Sequence, residues 1–418
     1  MKRANKFRLR PAKEQEKALF NLCEMSAVLW NKLNYIRRQA FFEGRFDWRG
    51  GIDELYGEFK RILGSATAQQ IMRKNNEAWR SFFSLLKLKK RGKLPSHVCK
   101  ISPLRYWKDR LTGRRKLMTI IRNDCYRIEG VGKKYLVLPK GLRIKITGEI
   151  KWRGKQGRLE IHYDDLTGRW YAYQSVEVNQ PSTTFSKRAY VDLGVVNILT
   201  TWIEGEKQAI AFSGRQLLSD WWYWTGKIAK YQSKLKRVNN KHTSKRLRKL
   251  YNKRQHRFRH GINTIVHRFA KLCLYRGVGE VVVGDITNIR ENNDKGHKIN
   301  SMIHNFWSFR YIVDRLKITL ENFGIKLKLR SEAGTSSRCP WCLGKVVKYK
   351  RQIKCFSCGR IAHRDVVGVL NIALLHGEGF NRVMAHPLLL RVDNALESKS
   401  SMWMQMRMKP LEARISWL

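Results

Sequence analysis

Four cysteines spanning residues 339–358 constrain this chain more tightly than any other feature. Cys339-Pro340-Trp341-Cys342 and Cys355-Phe356-Ser357-Cys358 form two CxxC pairs separated by twelve residues. Each pair can turn so that both thiolates face one ion, and two such knuckles complete a tetrahedral four-sulfur shell. A redox motif would need only one pair. Four protein ligands leave no position for water, so the expected ion is one structural Zn²⁺ rather than a catalytic one. The remaining cysteines, Cys23, Cys99, Cys125 and Cys273, are scattered along the chain. They read as inert core thiols.

The charge balance names the kind of partner. Among 418 residues, 85 Lys and Arg oppose 33 Asp and Glu, a net charge of +52. A surplus that large repels itself in a compact fold unless a polyanion accompanies it. The cations are spread along the whole sequence, which points to an extended phosphate-tracking surface and not a basic tail. An acidic small-molecule substrate needs far fewer. With 43% hydrophobic residues the chain can build cores, so wholesale disorder is excluded. The basic start, Met1-Lys2-Arg3-Ala4-Asn5-Lys6, is followed by no apolar stretch of the export type, and no run of 18 uncharged apolar residues occurs. No membrane partner is expected, and the expected location is cytoplasmic.

Periodicity divides the chain into three sections before the cysteines. Met1–Arg10 reads as a strand ending at Pro11, and residues 12–44 and 52–90 carry helix-spaced apolar positions. From 117 to 180 the period changes to two, in short strands such as Leu142–Ile146 and Arg158–Tyr163 separated by turns. A small barrel or meander is expected there. Val178–Ser186 reads as a linker. Tyr190–Gly194, Ile198–Ile203 and Ala209–Phe212 then follow as three strands in series. A long basic helical stretch, Trp221–Arg276, breaks near Asn239-Asn240. Next come strand Val281–Val283, helix Phe306–Phe323 and strand Ile325–Arg330. This β-β-β-α-β-α-β order is that of a ribonuclease-H-like sheet. Residues 376–418, with Met402, Met404, Met406 and Met408, show little periodicity and read as a variable or disordered tail.

At Val191-Asp192-Leu193-Gly194, Thr335-Ser336-Ser337-Arg338 running into the first cysteine pair, Cys358-Gly359, Arg364-Asp365-Val366 and Asn371-Ile372, the chain resembles TnpB. These are transposon-encoded RNA-guided nucleases, related to compact type V CRISPR effectors. The resemblance covers most of residues 1–375. It implies a multidomain α+β protein: a wedge β-barrel (1–11 and 117–180) with a helical recognition insertion (12–116), then a RuvC-like nuclease domain (187–334 and 363–375). A zinc-bearing insertion (335–362) interrupts that domain and binds target nucleic acid. It also implies a guide RNA, a target double-stranded DNA and a prokaryotic, nucleoid-associated setting. The implied activity is RNA-guided DNA cleavage by two catalytic Mg²⁺ ions.

Two-metal phosphodiester cleavage requires carboxylates that hold the ions about 4 Å apart. Asp192 matches the first acid of the family and Asp365, leading a helix after the cysteines, the last. The second acid departs from the pattern. The family carries Glu directly after the Val-rich strand, where this chain has Gly284 followed by Asp285. One step along a strand turns a side chain to the opposite face, so Asp285 fits only if a bulge re-aims it. Glu332 ends the strand expected beside Val281–Val283, at the carboxyl edge where open α/β sheets bind ligands. Relatives in the wider family carry a relocated Glu in this segment. Glu332 is therefore the preferred second ligand and Asp285 the alternative. Without a second acid the chain would be a nuclease-inactive, repressor-like DNA-binding protein directed by a guide. A third reading is an RNA-binding protein with a zinc ribbon. Basic and aromatic residues alternate in Trp221–Tyr231 and Arg254–Arg259, where cations can meet phosphates and rings can stack on unpaired bases. Core packing is the competing role for Trp221–Trp224.

Overall fold

The computed structural model describes residues 1–95, 98, 100–109, 113–285, 296, 300–302, 306–332 and 337–391. Cys99, Thr335, Ser336, Met402, Met404, Met406 and Met408 lie outside them. The chain divides into two compact units, Met1–Asn179 and Gln180–Leu418.

In the first unit, β1 (Lys2–Arg10) is followed by helices α1 (Lys13–Phe42), α2 (Ile52–Leu63) and α3 (Ser65–Lys90). Strands β2 (Met118–Ile121), β3 (Arg127–Glu129), β4 (Lys134–Val137), β5 (Arg143–Thr147), β6 (Lys155–Asp164) and β7 (Arg169–Glu177) complete it. The seven strands form one sheet in the order β2-β6-β7-β1-β5-β4-β3. Period-two patterning explains the register. Asn5, Phe7 and Leu9 point inward while Lys6 faces out opposite Tyr173. Ile121 of β2 and Leu136 of β4, from distant positions in that order, share a single core. The sheet therefore curves around its interior. No backbone ladder joins β2 to β3 among the described residues.

Helix α1 serves two cores. Leu19 and Cys23 pack into the sheet interior, and Leu29, Trp30 and Leu33 pack against α2 and α3. Trp30 stacks on Trp107 with ring centroids 4.4 Å apart. The apolar spacing over 52–90 reads as one helix, but the structure has two. Gly64 sits between them at φ 81°, a left-handed conformation that a helix cannot continue through.

In the second unit, β8 (Lys187–Asp192), β9 (Asn197–Ile203) and β10 (Ile210–Ser213) run as an antiparallel meander. Helices α4 (Arg215–Asn239) and α5 (Lys245–Tyr275) follow, then β11 (Val278–Asp285), α6 (Phe309–Glu321) and β12 (Lys326–Ser331). Strand β11 pairs parallel with β8, and β12 pairs parallel with β11. The valines of β11 alternate between two layers. Val281 and Val283 join the core formed with α5 and α6, while Val282 faces the opposite side with Tyr190 and Trp202. That opposite side is covered by helix α7 (Arg364–Leu375) through Val366, Val369 and Leu370. Each fully buried valine or leucine in such a layer contributes about 1.5–3 kcal/mol.

Between β12 and α7 lies a three-stranded antiparallel sheet, β13 (Val346–Tyr349), β14 (Gln352–Cys355) and β15 (Ile361–His363). Part of the expected tail is ordered. Strand β16 (Leu388–Arg391) pairs parallel with β10 at the sheet edge, and Val383 is buried beside Trp202. The short pattern Leu388-Leu389-Leu390 supplies too little periodicity to mark a strand by itself. No helix among the described residues is long and apolar enough to cross a membrane. Cys23 and Cys273 are buried core thiols as expected, whereas Cys125 is half-buried beside Asp124.

Candidate active site and metal centre

Sheet register brings the acids together. Tyr190 and Val282 face α7, so Asp192 and Gly284, each two residues further along its strand, face α7 as well. The pairing of Val283 with Val191 sets Gly284 beside Asp192. Gly284 in turn pairs with Arg330 of β12. Glu332 lies two residues beyond Arg330 and so returns to the same face. Asp285 has the opposite parity.

The side chains follow that geometry. A β-carbon placed on Gly284 would run into Glu332 Oε2 and would stand 3.0 Å from Ile372 Cδ1. The Glu332 carboxylate thus fills the space into which a side chain at 284 would project. Gly368 of α7 lies against Asp192 in the same way: a β-carbon there would be 2.9 Å from Asp192 Oδ2. Asp365, Gly368 and Ile372 are spaced i, i+3, i+7 and share one face of the helix.

Electrostatics couple the three acids. The Asp192 carboxyl is pushed well above the usual carboxylate range, by burial first and then by the charges of Asp365 and Glu332. Asp285 is not among its causes. Burial lifts Glu332 to about 7, and the charge of Asp285 adds to that. No side-chain hydrogen bond or ion pair reaches the Asp192 carboxylate among the described residues. A desolvated carboxylate held beside two others is costly unless a cation joins it, so this donor set suits divalent metal. The three carboxylates do not gather to within 4.8 Å of one another as the cysteines do. A pair of ions about 4 Å apart would be held by ligands spread more widely.

Asp365 has several partners that the sequence does not advertise. Asn197 Nδ2 donates to its Oδ2 at 2.9 Å. Arg351 approaches Oδ2 at 3.5 Å and Arg364 approaches Oδ1 at 3.3 Å. The Asp365 amide donates to His363 Nδ1 at 3.2 Å, capping α7. Asn197 follows Asp192 by five residues across a tight turn, and only knowledge of that turn could have singled it out.

The cysteines form a compact cluster. The sulfurs of Cys339, Cys342, Cys355 and Cys358 all lie within 4.8 Å of one another. Cys339 and Cys358 are 3.8 Å apart, and Cys342 and Cys355 3.4 Å. Four sulfurs at about 2.3 Å from a tetrahedral zinc would be about 3.8 Å apart. The Cys358 amide, with Ser357 behind it, donates to Cys355 Sγ and draws that thiol down to about 6. Burial pushes the Cys339 thiol up to about 12, and the amides of Trp341 and Cys342 that lie against it offset only part of that. Thiolates stabilised by amide donors are the form that binds zinc.

The basic-aromatic stretches divide between core and surface. Trp224 is buried and Trp221 packs against Phe258 and Phe306, while Tyr223 is exposed beneath Lys227 at 4.5 Å. Arg254 covers Trp221 at 4.1 Å.

Comparison with known proteins agrees with this architecture. Residues 171–290 match the OrfB_IS605 family, described as a probable transposase, and residues 309–372 match the Cas12f1-like TNB domain. TnpB-like protein ORF457 of Acidianus two-tailed virus is 32% identical over 399 residues, covering 89% of this chain and 86% of that protein. TnpB-like protein MJ0751 of Methanocaldococcus jannaschii is 24% identical over 148 residues, 34% of this chain and 53% of that protein. In fold, the chain is similar to Cas12f1 in its complex with guide RNA and target DNA, with a TM-score of 0.57 at 14% identity over 87% of this chain and 83% of that one. It is also similar to the mini-RNA-guided endonuclease CRISPR-Cas_phi3, at 0.52 and 10% over 90% and 92%. The identity and coverage of the viral relative establish that this chain belongs to the TnpB-like protein family.

Proposed function

We propose that this chain is the RNA-guided DNA endonuclease of a mobile element, cutting target DNA by two-metal hydrolysis in a RuvC-like site. The observation that carries the reading is the Glu332 carboxylate in the side-chain space of Gly284, on the same face as Asp192 and under the helix that bears Asp365. The strand order β10-β9-β8-β11-β12, antiparallel then parallel, supports a ribonuclease-H-like core. The family membership and the names of the relatives support an RNA guide and a DNA target.

In this reading, residues 1–11 and 117–180 are the wedge, 12–116 the recognition insertion, and 187–334 with 363–375 the nuclease domain. Residues 335–362 are its zinc-bearing, target-binding insertion, with Cys339, Cys342, Cys355 and Cys358 closing a structural four-sulfur shell. Asp192, Glu332 and Asp365 hold two Mg²⁺. When bound, such a pair activates the attacking water and stabilises the leaving oxygen. The protein's own part is to keep the carboxylates desolvated and fixed, Asp192 and Glu332 by the sheet and Asp365 by the capped helix. Pairing with the guide then supplies sequence specificity.

The test is a cleavage assay with purified protein, its co-purifying RNA and a matching duplex. Mg²⁺-dependent cutting that Asp192→Ala and Asp365→Ala each abolish, with guide-directed binding retained, is the expected result. A parent that binds the matching duplex but never cuts would instead identify a repressor-like DNA-binding protein.

A further inference from the structure

We infer that Asn197 is a positioning residue that sets which oxygen of Asp365 is offered to metal; this rests on the nuclease reading above. Asn197 opens β9 directly after the turn that follows Asp192, and it is 4% exposed. Its place is fixed from two sides. The Gly214 amide donates to the Val196 carbonyl at 2.7 Å, and Asn197 pairs with Ser213 where the β9–β10 register shifts. Asp365 is also buried, 8% exposed. Its carboxylate accepts from Asn197 Nδ2 at 2.9 Å, and only the amide nitrogen of Asn197 can face an ionised carboxylate as a donor.

The other groups around Asp365 differ in charge and freedom. Arg351 at 3.5 Å and Arg364 at 3.3 Å have side chains 32% and 58% exposed. His363 Nδ1 is 4.0 Å from Oδ2 and is already engaged with the Asp365 amide. A divalent cation at Asp365 would repel both guanidinium groups, whose exposed side chains have room to swing into solvent or onto phosphate. Asn197 is neutral, so its hydrogen bond survives the ion. It ties Oδ2 to the base of β9 and leaves Oδ1, once Arg364 has moved away, as the oxygen open to metal. The same bond joins the strand that follows the first acid to the helix that carries the last.

A hydrogen-bond partner of this kind is worth roughly 10–100-fold in metal affinity. The experiment uses the full chain with its RNA and measures Mn²⁺ binding by electron paramagnetic resonance, with Asp192→Ala to assign the signal to the acids. Mg²⁺ dependence of single-turnover cleavage is measured in parallel. Asn197→Ala should weaken Mn²⁺ binding and raise the half-saturating Mg²⁺ concentration by about 10–100-fold, with the rate recovering at saturating Mg²⁺. Asn197→Asp, which sets a second acceptor against Asp365, should do worse, and Asn197→Ser, which keeps a donor, should recover part of the loss. Zinc content and RNA binding report whether each variant is folded, and a folded Ser variant carries the test if the Ala variant is not. Parent-like Mn²⁺ and Mg²⁺ dependence in folded Ala and Asp variants overturns this inference alone. A parent that neither binds Mn²⁺ at the acids nor cleaves overturns the nuclease reading, and the inference with it.

Discussion

If positions 284 and 332 address one point in space, a carboxylate should be transferable between them. In the nuclease reading, Glu332→Ala would remove one ligand from a two-metal site, a loss on the order of a thousandfold in rate, or about 4 kcal/mol of barrier. Adding Gly284→Glu to that variant places a new carboxylate on the neighbouring strand, facing α7 beside Asp192. With Glu332 truncated, the remaining close neighbour of the new β-carbon is Ile372 Cδ1 at 3.0 Å. That methyl must give by a few tenths of an ångström, an overpacking that costs about 1–3 kcal/mol of stability and that Ile372→Val relieves. The double variant should regain at least tenfold of the lost rate in single-turnover, Mg²⁺-dependent cleavage of a matching duplex. Gly284→Glu alone should be impaired, because two carboxylates then compete for one space. Asp285→Ala should keep most of the activity, and guide-directed binding should persist throughout. An active Glu332→Ala protein, or a double variant no faster than Glu332→Ala, would refute the reasoning.

Three further outcomes follow from the structure. Metal analysis of protein purified without chelator should give about one zinc per chain, and Cys355→Ser should lower both zinc content and thermal stability; a zinc-free parent would remove the site. Affinity for nucleic acid should fall with salt at a log-log slope near −9, for roughly ten phosphates neutralised, and a flat response would exclude a phosphate-tracking surface. Glu160 is held at about 2 by its hydrogen bonds to His162 and Lys74. Its contribution is fully present above the unfolded value of 4.5 and is lost as pH falls toward 2. Discounted for solvent screening, it is about 1–2 kcal/mol, so Glu160→Gln should flatten the decline in stability between those pH values.

The sequence was most legible where burial is strict. Val281-Val282-Val283 reads as a buried strand because both faces of β11 are covered, and the cysteine spacing reads as a knuckle because thiolate geometry admits few alternatives. Glu332 was reachable from strand parity, but the register of β12 against β11 is a tertiary fact that local pattern does not encode. Gly64 was invisible as a break because the apolar spacing continues across it on both sides. Strand β16 was missed for a related reason. Its pairing energy comes from an available edge at β10, not from its own four residues. Asn197 was missed because nothing in a lone Asn separates a turn residue from one that reaches Asp365.

The two clusters also explain each other's placement. Asp192 ends β8, whose position the core on both sides of the sheet determines, and Glu332 directly follows β12, the exposed edge strand held by its parallel pairing with β11. Asp365 is carried by α7, whose first turn joins directly to β15 of the small three-stranded sheet. Val367 of that turn packs with Ile353 and Ala362, and Trp341, inside the first cysteine pair, touches both this cluster and the one beneath α7. The backbone of His363, which caps the helix, is held by the Ala385 carbonyl at 2.9 Å. Loosening the cysteine centre therefore acts on one acid of the three. In the nuclease reading it would shift Asp365 while the sheet keeps Asp192 in register, so a structural zinc without an open coordination position would still govern cleavage at the acids.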